Sequence, residues 1–380
     1  MIGTDSPLFR PLEIRSLRVS NRIVMSPMTR AHSPNGVPKE NVADYYRRRA
    51  HGGTGLIVTE GVAIEHETAV DSPSVPRLHG YDALEGWRRV VDAVHDAGGR
   101  IIPQLWHVGP LWGAMGKVDR ALKPMRPSGT WGAAGSTSYP REYVSRALKP
   151  TAPMTEDDIA EVIAAYAGAA ANARAVGFDG VAIHGGHGYL LDSFLWRSTN
   201  TRDDAWGGDL ERRVAFPCAV VAAIRAQVGP DMPIVFRFSQ HKQQDYSARI
   251  ADNPAELGVI LRALVDAGVD VLDASSRRFD LPAFPGDDLS LAGWAKKLTG
   301  ATTMAVGSVG LGTSLRTSRI DGVAASRNNI PELERRMSIG EFDLIAIGRL
   351  HLADPQLANT LQRKSELPDY NRSVHESKLI

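Results

Sequence analysis

The stretch Gly177-Phe178-Asp179-Gly180-Val181-Ala182-Ile183-His184 joins the predicted end of a helix to a predicted strand. Glycine supplies the left-handed conformation that commonly ends a helix, and a short apolar run follows it directly. The run is apolar up to its last residue, as is typical of parallel strands that are buried on both faces. Similar junctions occur at Gly268-Val269-Asp270 and, less closely, at Gly340-Glu341-Phe342-Asp343. The chain is therefore predicted to repeat a unit of helix and strand.

The segments between the strands carry the start and stop signals of helices. Thr155-Glu156-Asp157-Asp158 forms a capping box with acids in the first turn, and Gly177 ends the helix that follows. A second helix is predicted to begin at Asn253-Pro254 and to end at Gly268, and a third is predicted to end at Gly98. Strands and helices thus alternate along the chain.

Eight strand-like runs can be distinguished in all. They are Arg22–Met28, Leu56–Glu60, Ile101–Trp106, Gly180–His184, Ile234–Phe238, Val269–Asp273, Thr302–Gly307 and Leu344–Gly348. Eight repeated units predict an α/β fold that closes into one (β/α)8 TIM barrel, and an open doubly wound sheet is the alternative. We expect a single domain over residues 1–380, with a polar C-terminal tail from about residue 364.

Two connections are too long to be simple turns. One runs from Val108 to Pro153, after the third strand, and the other runs from Ala274 to about Leu289, after the sixth. Long loops that follow barrel strands lie on the face where barrel enzymes build their active sites. We therefore expect two lid-like insertions or substrate walls there.

The composition argues against several classes of function. There are 44 basic and 43 acidic residues, so no basic field would recruit nucleic acid or an anionic membrane. The single cysteine, Cys218, excludes an intrachain disulfide, a multi-cysteine zinc site and a cysteine-ligated iron–sulfur cluster. No apolar run of about 18 residues occurs, and the polar start Met1–Arg10 lacks the core of a signal peptide. We expect a cytoplasmic monomer or homodimer.

Six polar residues and one glycine lie at, or just past, the ends of the predicted strands. They are Thr29, Gly61, Gln104, His184, Arg237, Ser308 and Arg349. Barrel enzymes place their reacting groups at the carboxyl ends of the strands. These residues therefore predict a single site.

The segment His184-Gly185-Gly186-His187-Gly188-Tyr189 carries the strongest chemical signal. Two imidazoles three residues apart could hydrogen-bond one substrate oxygen, and the phenol two residues further on could deliver a proton. Two alternatives are a pair of histidines satisfied by backbone carbonyls and a zinc site. The segment itself contains no cysteine or carboxylate to complete a set of zinc ligands, so we expect no metal.

The last two strands predict a phosphate site. Gly307-Ser308 ends the seventh strand and Gly348-Arg349 ends the eighth, so each strand finishes in glycine followed by a donor. Loops after these two strands form the recurrent phosphate site of such barrels. The alternative is that the glycines serve only the turns. The glycines of Gly307–Gly312 do not have the spacing of a dinucleotide fingerprint.

Several motifs together resemble the Old Yellow Enzyme family of FMN-dependent ene-reductases. They are Asn21–Arg30, Gln104–His107, His184–Leu191 and Asn200–Gly208, and the resemblance covers about Leu8 to Leu357. It implies a non-covalently bound FMN that is reduced by NADPH or NADH. It also implies a small-molecule substrate, an enone or nitroalkene, that takes hydride at its β-carbon. Trp206 stands where tyrosine is usual, and Ser276-Arg277-Arg278-Phe279 has no clear counterpart.

The resemblance also implies a role for each site residue. Thr29 would hydrogen-bond the flavin O4, Gln104 would hold the pyrimidine edge, and Arg237 would face the N1–C2 carbonyl. Further cofactor-binding residues would be Pro27, Met28 and Gly61 around the ring, and Gly307, Ser308, Gly348 and Arg349 at the phosphate.

The remaining implied roles concern the substrate. His184 and His187 would hold its oxygen, and Tyr189 would protonate the α-carbon. Trp106, Phe279 and Phe284 would wall the pocket, with ordinary packing as the alternative for these three.

Three rival functions remain at this point. A larger flavin oxidase with an iron–sulfur cluster needs more cysteines than the chain has. A barrel enzyme that isomerises or cleaves a sugar phosphate would need a lysine or carboxylate at a strand end, and none stands out beside His184. The third rival is a binding protein that merely keeps the barrel.

Overall fold

The structure is a computed structural model, and it describes residues 6–116, 118–119, 121–314, 317–318 and 321–380. The strands are β1 (Leu12–Ile14), β2 (Leu17–Val19), β3 (Ile23–Met25), β4 (Leu56–Ala63), β5 (Ile101–Trp106), β6 (Val181–His184), β7 (Ile234–Phe238), β8 (Val271–Ser275), β9 (Thr302–Val306), β10 (Val323–Ala324), β11 (Leu344–Ile347) and β12 (Tyr370–Asn371).

The α-helices that can be described are α1 (Glu40–His51), α2 (Tyr81–Asp96), α3 (Arg141–Ala147), α4 (Glu156–Val176), α5 (Leu190–Leu195), α6 (Leu210–Val228), α7 (Pro254–Asp266), α8 (Leu291–Thr299), α9 (Ile330–Ser338), α10 (Arg349–Ala353), α11 (Leu357–Gln362) and α12 (Arg372–His375). Short 3-10 turns lie at Pro7–Phe9, Pro34–Gly36 and Gly109–Leu111.

Eight of the strands close into a barrel in the order β11-β3-β4-β5-β6-β7-β8-β9. Every neighbouring pair is parallel, and the ring closes where Ile345 of β11 lies opposite Ile23 of β3. The eight predicted strands are these eight, so the prediction of a (β/α)8 barrel is confirmed and the open sheet is excluded. β4 runs past its predicted end to Ala63, and its pairing with β5 shifts register between Val58 and Gly61.

Apolar side chains fill the barrel and seal one end of it. The inner cluster includes Val58, Ile102 and Val271 from the strands, together with Leu17 and Val19 of the β1–β2 hairpin. Ser16 N in the turn of this hairpin donates to Asp231 O, three residues before β7, so the hairpin covers the amino ends of the barrel strands. The carboxyl ends are the face that is left for a site.

The helix ends follow the predicted signals. Asp158 N donates to Thr155 Oγ1 at 3.1 Å and Thr155 N donates to Asp158 Oδ2 at 2.7 Å, which completes the capping box of α4. Gly177 ends the helix with φ of 100°. Asn253 accepts a hydrogen bond from Glu256 N at the start of α7. These predictions are confirmed.

The predicted polar tail is packed against the barrel. β12 pairs with β10, and Arg30 Nη2 donates to the carbonyl oxygens of His375 and Lys378 at 3.1 and 2.9 Å. Arg49, which has no exposed surface, hydrogen-bonds the carbonyl oxygens of His351 and Ile380. The tail therefore forms part of the wall beside the open end of the barrel.

Among the residues that the structure describes, no helix is both long enough and apolar enough to cross a membrane.

Two glycines of helix α4 should respond to alanine in opposite directions. Gly177 has φ of 100°, so Gly177→Ala should lower the free energy of unfolding by about 1 kcal/mol. Gly168 lies inside the helix, and nothing lies within 4 Å of an added Cβ, so Gly168→Ala should raise that free energy by up to about 1 kcal/mol. Urea unfolding of both variants measures the signs. Two changes of the same sign would contradict the assigned helix end.

Candidate active site

A cleft opens at the carboxyl ends of the barrel strands and holds most of the predicted site residues. Its empty space is about 1460 Å³, including the part that is open to solvent. The predicted residues that line it are Pro27, Met28, Thr29, Gly61, Gln104, Trp106, His184, His187, Tyr189, Arg237, Gly307, Ser308, Gly348 and Arg349. These residues come from seven different strands and the loops that follow them, so barrel closure brings them together.

The floor of the cleft depends on a close contact between two strands. A Cβ added to Gly61 of β4 would lie 2.4 Å from Cε3 of Trp106 in β5, far inside van der Waals contact. The strand pairing shifts register just before Gly61, which lets the indole cross the neighbouring backbone. Glycine at 61 is thus required by Trp106 itself, whatever ligand lies above it.

Several buried polar atoms in the cleft have no hydrogen-bond partner among the described residues. They include Nε2 of Gln104 and both ring nitrogens of His184, together with Nε1 of Trp106 and Nε of Arg30. Gln104 is 3% exposed and His184 is 7% exposed, and buried polar groups of this kind are nearly always paired in proteins. These atoms therefore indicate a polar ligand in the cleft. The amide of Gln104 suits the polar edge of a flavin ring, and the imidazole suits a substrate oxygen.

Arg237 brings a positive charge to the same floor. Its Nε donates to Asp273 Oδ2 at 2.6 Å and its Nη2 donates to Ser26 Oγ at 3.1 Å. Both charged side chains are buried, so the pair holds the guanidinium in one orientation. A fixed buried cation fits the N1–C2 edge of a flavin, where negative charge gathers on reduction.

Three aromatic side chains of the 184–189 segment stand together above this floor. The ring centroid of His184 lies 5.1 Å from that of His187 and 4.8 Å from that of Tyr189. Tyr189 also meets Trp106 edge-on at 5.1 Å. His187 takes a φ of 65°, and its Nε2 lies 2.9 Å from Ser275 Oγ. The two imidazoles and the phenol are thus neighbours, as the sequence predicted.

Both imidazoles of this group are uncharged. Burial, with help from the nearby charge of Arg237, lowers the pKa of His184 to about 3. Burial also holds the pKa of His187 well below its usual value, and His241 and His184 add to the effect. A neutral imidazole keeps one N–H donor for a ligand oxygen.

The predicted phosphate loops have the backbone shape of a cradle. Gly307 has φ of 144° and Ser308 has φ of 49°, and a Cβ at Gly307 would lie 2.7 Å from Arg278 N. Arg349 Nη2 donates to Ser308 Oγ at 3.0 Å. Burial lowers the pKa of Arg349 to about 10, so its guanidinium is still charged at neutral pH. A backbone turn beside a buried, charged arginine fits a phosphate monoester.

The described residues contain no group of three or more histidine, cysteine or acidic side chains placed to hold a metal ion. The unpartnered amide of Gln104, the buried cation of Arg237 and the loops of Ser308 and Arg349 fit an organic cofactor with an oxygen-rich ring edge and a phosphate.

Comparison with known proteins agrees with this fit. Residues 7–368 match the model of the NADH:flavin oxidoreductase / NADH oxidase family. The chain belongs to the Old Yellow Enzyme family. It is similar to flavin oxidoreductase hxnT of Emericella nidulans, at 33% identity over 97% of this chain and 93% of that one. It is also similar to 12-oxophytodienoate reductase 7 of Oryza sativa subsp. japonica, at 29% identity over 97% of this chain and 91% of that one.

Two solved structures of the Old Yellow Enzyme type superimpose on this barrel. Morphinone reductase in complex with tetrahydroNAD has a TM-score of 0.78 at 26% identity, over 97% of this chain and 93% of that one. The old yellow enzyme homologue from Zymomonas mobilis has a TM-score of 0.76 at 25% identity, over 98% of this chain and 99% of that one. The protein is accordingly an oxidoreductase of this family with its TIM-barrel fold.

Two predicted pocket residues, Phe279 and Phe284, do not line the cleft. Phe279 is fully buried in the core and Phe284 packs edge-on against Trp294, with ring centroids 5.9 Å apart. Both residues follow the alternative of ordinary packing, because apolar loop residues are drawn into the core when it is within reach. The loop after β8 gives Ser276 and Arg277 to the cleft instead.

The insertion after β5 supports the site from behind. None of the described residues from Val108 to Pro153 lines the cleft. Trp112, Leu111 and Trp131 belong to apolar clusters that pack against Tyr189. The insertion therefore backs the phenol, and its role as a lid stays a prediction.

The loop after β7 is a part of the site that the sequence did not reveal. His241, Gln243 and Tyr246 of this loop line the cleft. Lys242 Nζ lies 2.7 Å from Asp192 Oδ1, and neither side chain has any exposed surface. The other oxygen of Asp192 accepts a hydrogen bond from Gly188 N at 2.5 Å. The one available signal was an acid inside the apolar run Leu190–Leu195.

This buried ion pair joins the loop to the segment that carries the aromatic group. A backbone hydrogen bond joins the same two segments, since Gln243 N donates to His187 O at 3.0 Å. Burial raises the pKa of Asp192 and lowers that of Lys242, and the attraction between the two charges opposes both shifts. The 2.7 Å contact favours the ionised form of both groups, against the effect of burial.

Lys242→Met should lower the free energy of unfolding by about 3–5 kcal/mol, because it leaves the Asp192 carboxylate buried without a cation. The double variant Asp192→Asn/Lys242→Met should recover most of that loss, since neither charge is then buried. Denaturant unfolding of the parent and both variants gives the values. A single variant as stable as the parent would show that Asp192 is not ionised in the native protein.

Proposed function

We propose that this protein is an FMN-dependent ene-reductase that uses NADH or NADPH to saturate carbon–carbon double bonds conjugated to a carbonyl or nitro group. The observation that carries the proposal is the pair of neutral imidazoles beside a phenol. Neither ring nitrogen of His184 has a hydrogen-bond partner within the described part of the chain. This arrangement suits the polarisation of an oxygen and the protonation of a neighbouring carbon.

The cleft offers a contact for each part of the cofactor. When it is bound, FMN accepts hydride from the nicotinamide and supplies it to the β-carbon of the alkene. Gln104 and Thr29 would hold the pyrimidine edge, and Arg237 would face N1 and the C2 carbonyl. The ring would lie on Pro27, Met28 and Gly61, and the phosphate would be held by Gly307, Ser308, Gly348 and Arg349.

His184 and His187 would bind the oxygen of the activating group. Their N–H groups meet the negative charge that develops on this oxygen as hydride arrives at the β-carbon. One fixed donor of this kind is worth about 3–4 kcal/mol in the transition state. Tyr189 would give its phenolic proton to the α-carbon, and Trp106 would hold its ring in place through the edge-on contact at 5.1 Å.

The names of similar proteins support this assignment. One is a 12-oxophytodienoate reductase, and a structural neighbour is a morphinone reductase in complex with tetrahydroNAD. Reduction with a nicotinamide donor in the same fold is consistent with the geometry of the cleft.

Colour gives the direct test of the function. Purified protein that has taken up FMN should be yellow, should bleach with NADH or NADPH under nitrogen, and should regain its colour when 2-cyclohexenone or a nitroalkene is added. A colourless protein that does not take up FMN would overturn the proposal in favour of a phosphate-binding barrel enzyme without flavin.

Tyr189→Phe should leave reduction of the flavin by NADPH unchanged and slow its reoxidation by an enone by about 100-fold or more, because the α-carbon loses its proton donor. Stopped-flow absorbance at the flavin band separates the two half-reactions. Tyr166→Phe is the matched control, since Tyr166 is buried in α4 and does not line the cleft. Reoxidation at the parent rate in Tyr189→Phe would remove Tyr189 from the reaction.

Reoxidation by a neutral nitroalkene should be independent of pH between about 5 and 8. The pKa of His184 is lowered to about 3 and that of His187 lies well below its usual value, so neither imidazole gains a proton in this window. The charged form would appear only at a pH far below the usual histidine range. A rate constant that changes through a transition near pH 6.5 in the parent, and not in His184→Ala, would contradict the neutral state.

A further inference from the structure

A second polar cluster lines the outer wall of the cleft and has no part in the reaction described above. It consists of His241, Gln243 and Tyr246 from the loop after β7, and Arg277 from the loop after β8. The cluster adjoins His184 and His187, the residues proposed to bind the substrate oxygen. The ring centroid of His241 lies 5.0 Å from that of His187 and 6.3 Å from that of Tyr246.

Arg277 is held in place by an aromatic face. Its guanidinium carbon lies 3.9 Å from the centroid of the Tyr246 ring. Tyr246 is itself fixed, because its hydroxyl hydrogen-bonds Ser138 Oγ at 2.8 Å and Gln243 Oε1 at 3.0 Å. When a guanidinium stacks on an aromatic ring, its N–H groups point outward in the guanidinium plane. A carboxylate can then bind them in that plane. The cation is thus oriented before any ligand arrives.

The backbone of Arg277 is also anchored beside the reacting group. Its carbonyl oxygen accepts a hydrogen bond from Ser308 Oγ at 3.0 Å. Two residues earlier, Ser275 Oγ lies 2.9 Å from Nε2 of His187. A molecule whose activating oxygen sits at His187 therefore has the Arg277 side chain along the same wall of the cleft.

The charged side chains that line the cleft are mostly cationic. They are Arg30, Arg237, Arg277, Arg349 and Glu376, four of one sign and one of the other. Arg237 is paired with Asp273, and Arg349 belongs to the predicted phosphate loops. Burial and the charge of Arg277 lower the pKa of His241 to about 3, so His241 stays neutral and leaves the positive charge of this wall to Arg277.

We infer that Arg277 is an anion-recognition residue of the substrate pocket, and that the preferred substrates are activated alkenes that also carry a carboxylate. The inference rests on the proposed ene-reductase function. A carboxylate would form charge-assisted hydrogen bonds with this oriented guanidinium, and a neutral alkene would not. The stack on Tyr246 limits the side-chain entropy lost on binding.

The test compares matched ligands that differ only in charge, bound to the FMN-loaded protein. The pairs are 4-hydroxybenzoate with 4-hydroxybenzamide, and 4-hydroxyphenylacetate with its amide, titrated through the change in the visible spectrum of the flavin. The parent should bind at least one acid about tenfold more tightly than its amide. Arg277→Gln should abolish this preference by weakening the acid alone, and Arg277→Lys should retain part of it.

Arg249→Gln is the control for a general loss of positive charge. Arg249 lies on the same loop as His241 but is exposed and does not line the cleft, so the acid preference should survive in this variant. A turnover assay with 4-(2-nitrovinyl)benzoate and its methyl ester should show the Arg277→Gln effect in KM for the acid, with kcat nearly unchanged. In the parent protein, sodium chloride should weaken binding of the acid and not of the amide.

Three outcomes would overturn the inference, and each leaves the ene-reductase function standing. Equal binding of acid and amide by the parent in both pairs would show that no anion site exists. Loss of FMN from folded Arg277→Gln and Arg277→Lys would assign Arg277 to the cofactor phosphate. A higher KM for NADPH than for NADH in Arg277→Gln, with acid binding unchanged, would assign it to the hydride donor. Failure of the parent to bind FMN at all would instead refute the proposed function.

Discussion

Closure of eight parallel strands is the constraint on which the rest of the structure depends. Because β3 and β11 pair with each other, the first and last parts of the chain contribute to one ring. All strands run in the same direction, so Thr29, His184 and Arg349 meet at one rim although they are far apart in sequence. The apolar hairpin β1–β2 seals the opposite end. The hydrogen-bonded and buried strands thus determine where the polar side chains lie, and the loops that follow the strands carry some of these side chains.

Two buried ion pairs also fix the positions of residues in the candidate site. Arg237 with Asp273 and Lys242 with Asp192 are each a cation and an anion that are buried together. Such pairs add little net stability compared with apolar packing, but their geometry is strict. One pair fixes a cation under the predicted flavin, and the other fixes the segment of His187 from behind. The aromatic groups between them can stay neutral, which suits donors that must serve an uncharged substrate.

Much of the fold could be predicted from the sequence because its signals are local. Eight apolar runs, the capping box at Thr155 and the helix stop at Gly177 all act within a few residues. The polar residues at strand ends followed from the same periodicity. The parts of the structure that were not predicted depend on contacts between segments distant in sequence, and such contacts produce no periodic pattern in the sequence. Phe279 was drawn into the core, the loop of His241 folded over the rim, and the tail docked on Arg30.

Barrel closure also bears on how the protein is made. Synthesis on the ribosome delivers β3 early and β11 only after more than three hundred further residues, so β3 lacks one of its two neighbours for most of translation. An unpaired strand edge of this kind is open to association with other chains. The rim, which needs Arg349 from the late segment, is completed last. A cofactor site that includes Arg349 can therefore be completed only after this late segment has been synthesised.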